Sequence, residues 1–138
     1  MFFNKKKDVK KENSYLVKIA ALLVHAAKID EKYSSQEENI IKKTLLKLGA
    51  DQKELDVLIA SAKLNEEKAN QILEFTREIK TMDEKDKIKI VKSLWQIIYS
   101  DKDADIYETN LMRRLAGLMY IDSVTMGDIK NKIKKENS

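Results

Sequence analysis

The sequence predicts an all-α protein, a single-domain bundle of about seven helices, and three observations carry that expectation. The 138 residues contain no proline and three glycines, so few positions break a helix. Apolar residues recur at three- and four-residue spacing over almost the whole chain. Capping signatures recur at Ser34/Glu37, Asp51/Glu54 and Asp105/Glu108, where a short polar side chain precedes a glutamate by three positions.

The first helix is expected over 14–29, with Asn13 or Ser14 as N-cap. Leu16, Ile19, Ala20, Leu23, Val24 and Ala27 form one stripe, and Val17, Ala21, Leu22 and Ala26 make the other faces apolar, so this helix is central. The second runs over 35–48, between the Ser34 box and Gly49, which stands where a left-handed C-terminal residue is wanted. Asp51 opens a third to Lys63, and Asn65, with Glu66 and Glu67 in the favourable first turn, opens a fourth to Lys80. Asp83 opens a fifth, in which Ile88, Val91, Trp95 and Ile98 form one stripe and Ile90, Leu94 and Ile97 a second, so it too is central. The sixth runs from the Asp105/Glu108 box through Met119. Asp122 or Ser123 opens the last, which is expected to fray over 130–138. No segment rich in Pro, Gly or Ser divides the chain, so one domain is expected over 13–127, flanked by a basic tail at 1–12 and a basic end of the last helix at 128–138.

Composition excludes several function classes. Without cysteine there is no disulfide framework and no thiol nucleophile, and one histidine, His25, cannot supply a zinc site of the usual kind. The net charge of +4 is confined to the ends: five lysines against Asp8 and Glu12 give +3 over 1–12, four lysines against Asp128 and Glu136 give +2 over 128–138, and the middle is −1. Lysine outnumbers arginine 24 to 3, whereas phosphate-reading surfaces favour the bidentate guanidinium, so nucleic acid is a weak candidate partner. The basic ends, with Phe2 and Phe3, suit an anionic membrane surface better, at about 1 kcal/mol per basic residue near the lipid. The longest apolar stretch, Leu16 to Ile29, is interrupted by Lys18, His25 and Lys28 and is too short to span a bilayer. The first residues lack the apolar core of a secretory signal. The expected location is the cytoplasm, with peripheral contact at the inner membrane as a further option.

Offsetting the chain by 71 residues aligns Lys18 with Lys89, Ile19 with Ile90, Leu23 with Leu94, Asp30 with Asp101, Glu37 with Glu108 and Asn39 with Asn110, without a gap. This suggests a duplicated unit: a buried helix, an acidic turn, then a capped amphipathic helix. The second unit, Leu94-Trp95-Gln96-Ile97-Ile98-Tyr99-Ser100-Asp101-Lys102-Asp103-Ala104-Asp105-Ile106-Tyr107-Glu108 followed by Leu111-Met112-Arg113-Arg114, resembles the signature of the tellurite-resistance TerB family, whose domain also occurs at the N-terminus of the DjlA co-chaperones. Ala26 to Glu37 resembles the earlier copy of that signature, and the likeness covers residues 15–127. Glu31 and Lys102 stand where the family carries glycine after the turn aspartate. The resemblance implies an all-helical domain of stress-associated bacterial proteins outside the established enzyme families, with acidic residues proposed as a metal-binding surface; an unidentified protein is the expected partner.

On the residues themselves two readings of the acidic turns stand side by side. Glu37 and Glu108 fit the closing positions of capping boxes. Asp30 and Asp101 end buried helices, where the dipole disfavours an anion, so a lysine, an arginine or a hard divalent cation must compensate. The candidate metal set is Asp30, Glu37, Asp101, Asp103, Asp105 and Glu108, for a weak Ca²⁺ or Mg²⁺; no cofactor is required. Asp101, Asp103 and Asp105 imitate the start of an EF-hand loop, but Ile106 and Met112 occupy the positions that need glycine and glutamate, so an EF-hand is excluded. His25 has no nucleophile to serve and reads as a hydrogen-bonded boundary residue. Trp95 and Tyr99, four apart, read as core, and Arg113 and Arg114 as partners in surface ion pairs. No catalytic residue is assigned.

Overall fold

A computed structural model of the protein describes residues 2–29, 33–100 and 106–136. Seven helices are present among the described residues: α1 (Phe2–Lys28), α2 (Ser35–Lys47), α3 (Leu55–Lys68), α4 (Leu73–Thr76), α5 (Glu84–Tyr99), α6 (Ile106–Leu118) and α7 (Ser123–Glu136). Short 3₁₀ turns at Gln52–Glu54 and Ile79–Thr81 precede α3 and follow α4. None of the helices is long and apolar enough to cross a membrane.

α1 is apolar on every side from Ile19 to Val24 because it is packed on every side, against α2, α3, α4 and α5. α5 is the second central element and lies against α1, α2 and α7. Its double stripe puts Ile90, Val91, Leu94, Trp95, Ile97 and Ile98 in the core. Trp95 and Tyr99 are both buried, with ring centroids 5.9 Å apart and planes 25° from parallel. α2 and α5 also share a polar contact: the hydroxyls of Thr44 and Ser93 bond to each other, and each lies within reach of a carbonyl four residues back, Ile40 O at 2.8 Å and Lys89 O at 2.9 Å.

The ends of α2 follow local rules. The Ser34 hydroxyl accepts from Glu37 N at 3.1 Å while Glu37 Oε1 accepts from Ser34 N at 2.9 Å, a complete capping box. At the other end Gly49, at φ +105°, lets Ala50 N donate to Leu45 O at 2.9 Å and Gly49 N to Leu46 O at 3.1 Å, the Schellman pattern. α6 closes on the same pattern without glycine. Tyr120 takes φ 54°, Ile121 N donates to Ala116 O at 2.9 Å and Tyr120 N to Gly117 O at 3.3 Å.

Four expectations about boundaries are corrected. α1 starts at Phe2, not at an Asn13 or Ser14 cap, because 2–13 hold no breaker and are rich in lysine, a good helix former. α3 runs to Lys68, so Asn65 lies inside it, where its Nδ2 donates to Ser61 O at 2.8 Å instead of capping a new helix. The expected fourth helix shrinks to one turn of α4 and one of 3₁₀, although Ile72, Phe75, Thr76 and Ile79 keep helical spacing. All four are buried, so packing against α1 and not local propensity shapes this segment. α7 does not fray at 130: Ile129 and Ile133 are buried and hold it on α5 through Glu136.

Candidate functional site

The acidic units are described in part, since Asp30, Asp101, Asp103 and Asp105 lie outside the described residues. Glu37 and Glu108 are described, and both are buried in the first turns of α2 and α6, at 2% and 6% exposure. A carboxylate this far from water needs hydrogen-bond partners, which the capping box gives Glu37 through Ser34 N. Among the described residues no group of three acidic or histidine side chains is gathered as a metal site.

A groove of about 580 Å³ runs between α2 and α5. Gln36, in the first turn of α2, and Ser100, the residue after α5, line the same groove. The start of the helix that carries Glu37 and the end of the helix that leads into Asp101 therefore lie together. Lys43 and Lys47, one turn apart on α2, face it with Gln96 of α5.

Two ionic clusters fix the neighbouring helices. Glu66 of α3, its side chain only 11% exposed, accepts from Lys28 Nζ at 2.8 Å and lies 3.3 Å from His25 Nδ1, tying α3 to α1. Burial pushes its carboxyl up, and the hydrogen bonds from Lys28 and His25 outweigh that and hold it below the usual carboxylate range. The Glu66 bond in turn raises the Lys28 ammonium. Glu38 accepts from Lys63 at 3.1 Å and from the Tyr33 hydroxyl at 3.2 Å, with Lys63 4.8 Å above the Tyr33 ring. The Lys63 bond dominates and lowers the Glu38 carboxyl, while burial chiefly, with Glu38, raises the Tyr33 phenol. Tyr15 is pushed up to about 12, by burial first and then by Asp86, Glu78 and Asp83.

His25 is thus a boundary residue with an acidic partner, and Trp95 and Tyr99 are core. Arg113 and Arg114 are exposed and make no ion pair among the described residues, a departure from expectation. The Glu66 cluster was not legible in sequence, because Glu66 looked like the first turn of a fourth helix and its partners lie about forty residues away. The one hint was that His25 and Lys28 interrupt an otherwise apolar helix.

The sequence pattern of the family described as tellurite resistance protein TerB matches residues 16–131. The chain belongs to the TerB family. Among solved structures, a protein of unknown function from Porphyromonas gingivalis W83 is similar, with a TM-score of 0.62 and 21% identity over 88% of this chain and 96% of that one, and it shares the fold. No curated protein matches. The TerB match begins within α1, covers the sequence of both acidic turns and all of α5, and stops within α7.

Proposed function

We propose that this TerB-family chain is a non-enzymatic interaction module that senses a divalent cation through its acidic turns, in the cytoplasm and in the service of an envelope or metal stress response of the tellurite type. The observation that supports it is the shared groove, lined by Gln36 in the first turn of α2 and by Ser100 at the end of α5, next in sequence to Glu37 and to Asp101. Asp30, Asp101, Asp103 and Asp105 are the oxygen donors in this reading, and the buried Glu37 and Glu108 hold the helix starts in place. Carboxylate oxygens suit Ca²⁺ or Mg²⁺. Lys102, in place of the turn glycine, weakens the second site by its charge, so a dissociation constant near the millimolar end is expected.

The test is a melting series in Ca²⁺ and Mg²⁺. Cation binding stabilises the fold by about 2.7 kcal/mol at a hundredfold excess over the dissociation constant, and the double variant Asp30→Asn/Asp101→Asn loses that gain. Glu37→Gln, which keeps much of the cap, retains it. A melting temperature that stays flat through millimolar Ca²⁺ and Mg²⁺ removes the cation reading.

A second reading, a peripheral membrane adaptor, is favoured by α7. Ile129 and Ile133 turn inward there and leave Lys132 and Lys134 exposed on an ordered helix. Pelleting with anionic liposomes that fades as salt rises supports it, and no pelleting at low salt refutes it.

A further inference from the structure

A second groove, of about 430 Å³, opens between α6 and α7. α7 rests on α5 and α6 leans on α4, so the two helices are held apart by what each packs against. Trp95 of α5 lines the space between them, with Met112 and Met126. The volume falls within the ~300–1,000 Å³ typical of small-molecule clefts. From Thr109 to Gly117 the α6 wall is about 12 Å long at the helical rise.

Two further features point outward. Gly127 stands inside α7, where glycine costs roughly 1 kcal/mol against alanine, and Gly117 is the last residue but one of α6. Neither has a positive φ, and a methyl group added at either would meet nothing within 4 Å. Nothing in the fold therefore requires these glycines, yet both line this groove. The other feature is Trp95 itself. Its Nε1–H is the one buried side-chain nitrogen or oxygen without a hydrogen-bond partner among the described residues. A buried donor is rarely left so.

Charge sets the class of ligand. Lys130 Nζ lies 5.5 Å from the Trp95 ring centroid, and Arg113 stands on the opposite wall. Neither is ion-paired among the described residues, and no carboxylate lines the groove. By chain position the two cations lie further from the α6–α7 turn than Gly117 and Ile121 do. The cleft thus carries its two cations at one end, with Gly117 and Ile121 lining it toward the α6–α7 turn. We propose that it binds a small amphipathic anion, one carboxylate or phosphate held between Arg113 and Lys130 beside Trp95 and an acyl or aryl body lying along Gly117 and Gly127.

The single tryptophan of the chain reports on this site. Decanoate, below its micelle concentration, is expected to give a saturable change in Trp95 fluorescence. Acetate and inorganic phosphate, which lack the apolar body, should give none, and decanol should bind at least tenfold more weakly. Arg113→Gln/Lys130→Gln should weaken decanoate about tenfold or more, as loss of charge-assisted hydrogen bonds requires. Gly127→Leu should fill the cleft and abolish the response while circular dichroism stays native. If Gly127→Leu does not fold, Gly117→Ala/Gly127→Ala, whose methyls meet nothing, should keep the fold and weaken binding several-fold. An unsaturable response overturns the assignment, and so does decanol binding as tightly as decanoate. A response unchanged in the filled variant does the same. Binding of an acidic helical peptide with decanoate silent would replace a small-molecule site by a protein-docking one.

Discussion

α2 and α6 end on the same hydrogen-bond pattern with different residues at the position that matters most. Gly49 takes the left-handed conformation at no steric cost, whereas Tyr120, 71 residues later, takes it against the clash of its own Cβ. What holds Tyr120 there is the residue after it, since Ile121 is buried and its N–H closes on Ala116 O. The two helices begin alike as well, each with a buried glutamate in its first turn. They differ on their outer faces. Lys42 of α2 pairs with Asp56 at 3.4 Å, while its counterpart by the same offset, Arg113 of α6, has no such pair among the described residues and faces a groove. Similar backbone patterns thus carry different chemistry, ionic clasps on the first pair of helices and an open cleft on the second.

The largest expected effect separates the two central helices. Trp95→Ala should cost roughly 3–5 kcal/mol by chemical denaturation. Its counterpart on α1, Val24→Ala, removes far less buried surface and should cost about 1.5–3 kcal/mol at most. A smaller loss at Trp95 than at Val24 would break the equivalence of α5 and α1 as core helices. Next come the helix starts, where Glu37→Ala should lose about 1 kcal/mol and Glu37→Gln much less. If Glu108→Ala matches Glu37→Ala, the two starts are energetically alike.

The helix ends should respond with opposite signs. Gly49→Ala is expected to destabilise by about 1 kcal/mol and Tyr120→Gly to stabilise by about 0.5–1 kcal/mol, read as shifts of the thermal midpoint. Loss of stability in both would show that the Tyr120 side chain, near Lys80, matters more than its backbone strain. The smallest effect, under about 1 kcal/mol, belongs to the pair of helices that carries Glu66. Its carboxyl sits lower in the folded chain than the unfolded value of about 4.3. The stability it contributes is therefore complete above that value and is lost as pH falls through the lower folded one. Glu66→Gln should flatten this part of an acid denaturation profile.

Legibility in sequence followed the range of the forces at work. α2 and α5 could be placed because their caps and stripes are local, and the Ser34/Glu37 box formed as its spacing required. The α3–α4 boundary could not, because Asn65 carries the same signal whether it caps a helix or bonds back to Ser61 within one. The helical spacing of Ile72, Phe75 and Ile79 likewise survives a broken helix, since all three are buried and α4 packs on α1. In the candidate site the acidic turns were legible as composition, but that Gln36 and Ser100 line one groove depends on how α2 crosses α5. The α6–α7 cleft was hidden for a different reason. Its sign is what Gly117 and Gly127 fail to touch, which only a folded chain can show.

The Thr44–Ser93 contact has a consequence for how α2 can move. Each hydroxyl has a single proton, so when one donates to the other across the interface, only the acceptor of that bond still reaches its own carbonyl. The two proton arrangements differ in direction and leave the heavy atoms where they are. Were α2 to slide along α5, both hydroxyls would fall back on Ile40 O and Lys89 O, so the pair would still donate two hydrogen bonds and no buried polar atom would be stranded. The contact behaves as a detent on a sliding joint. It marks one resting position and lets α2, with Glu37 at its head, slip past at small cost.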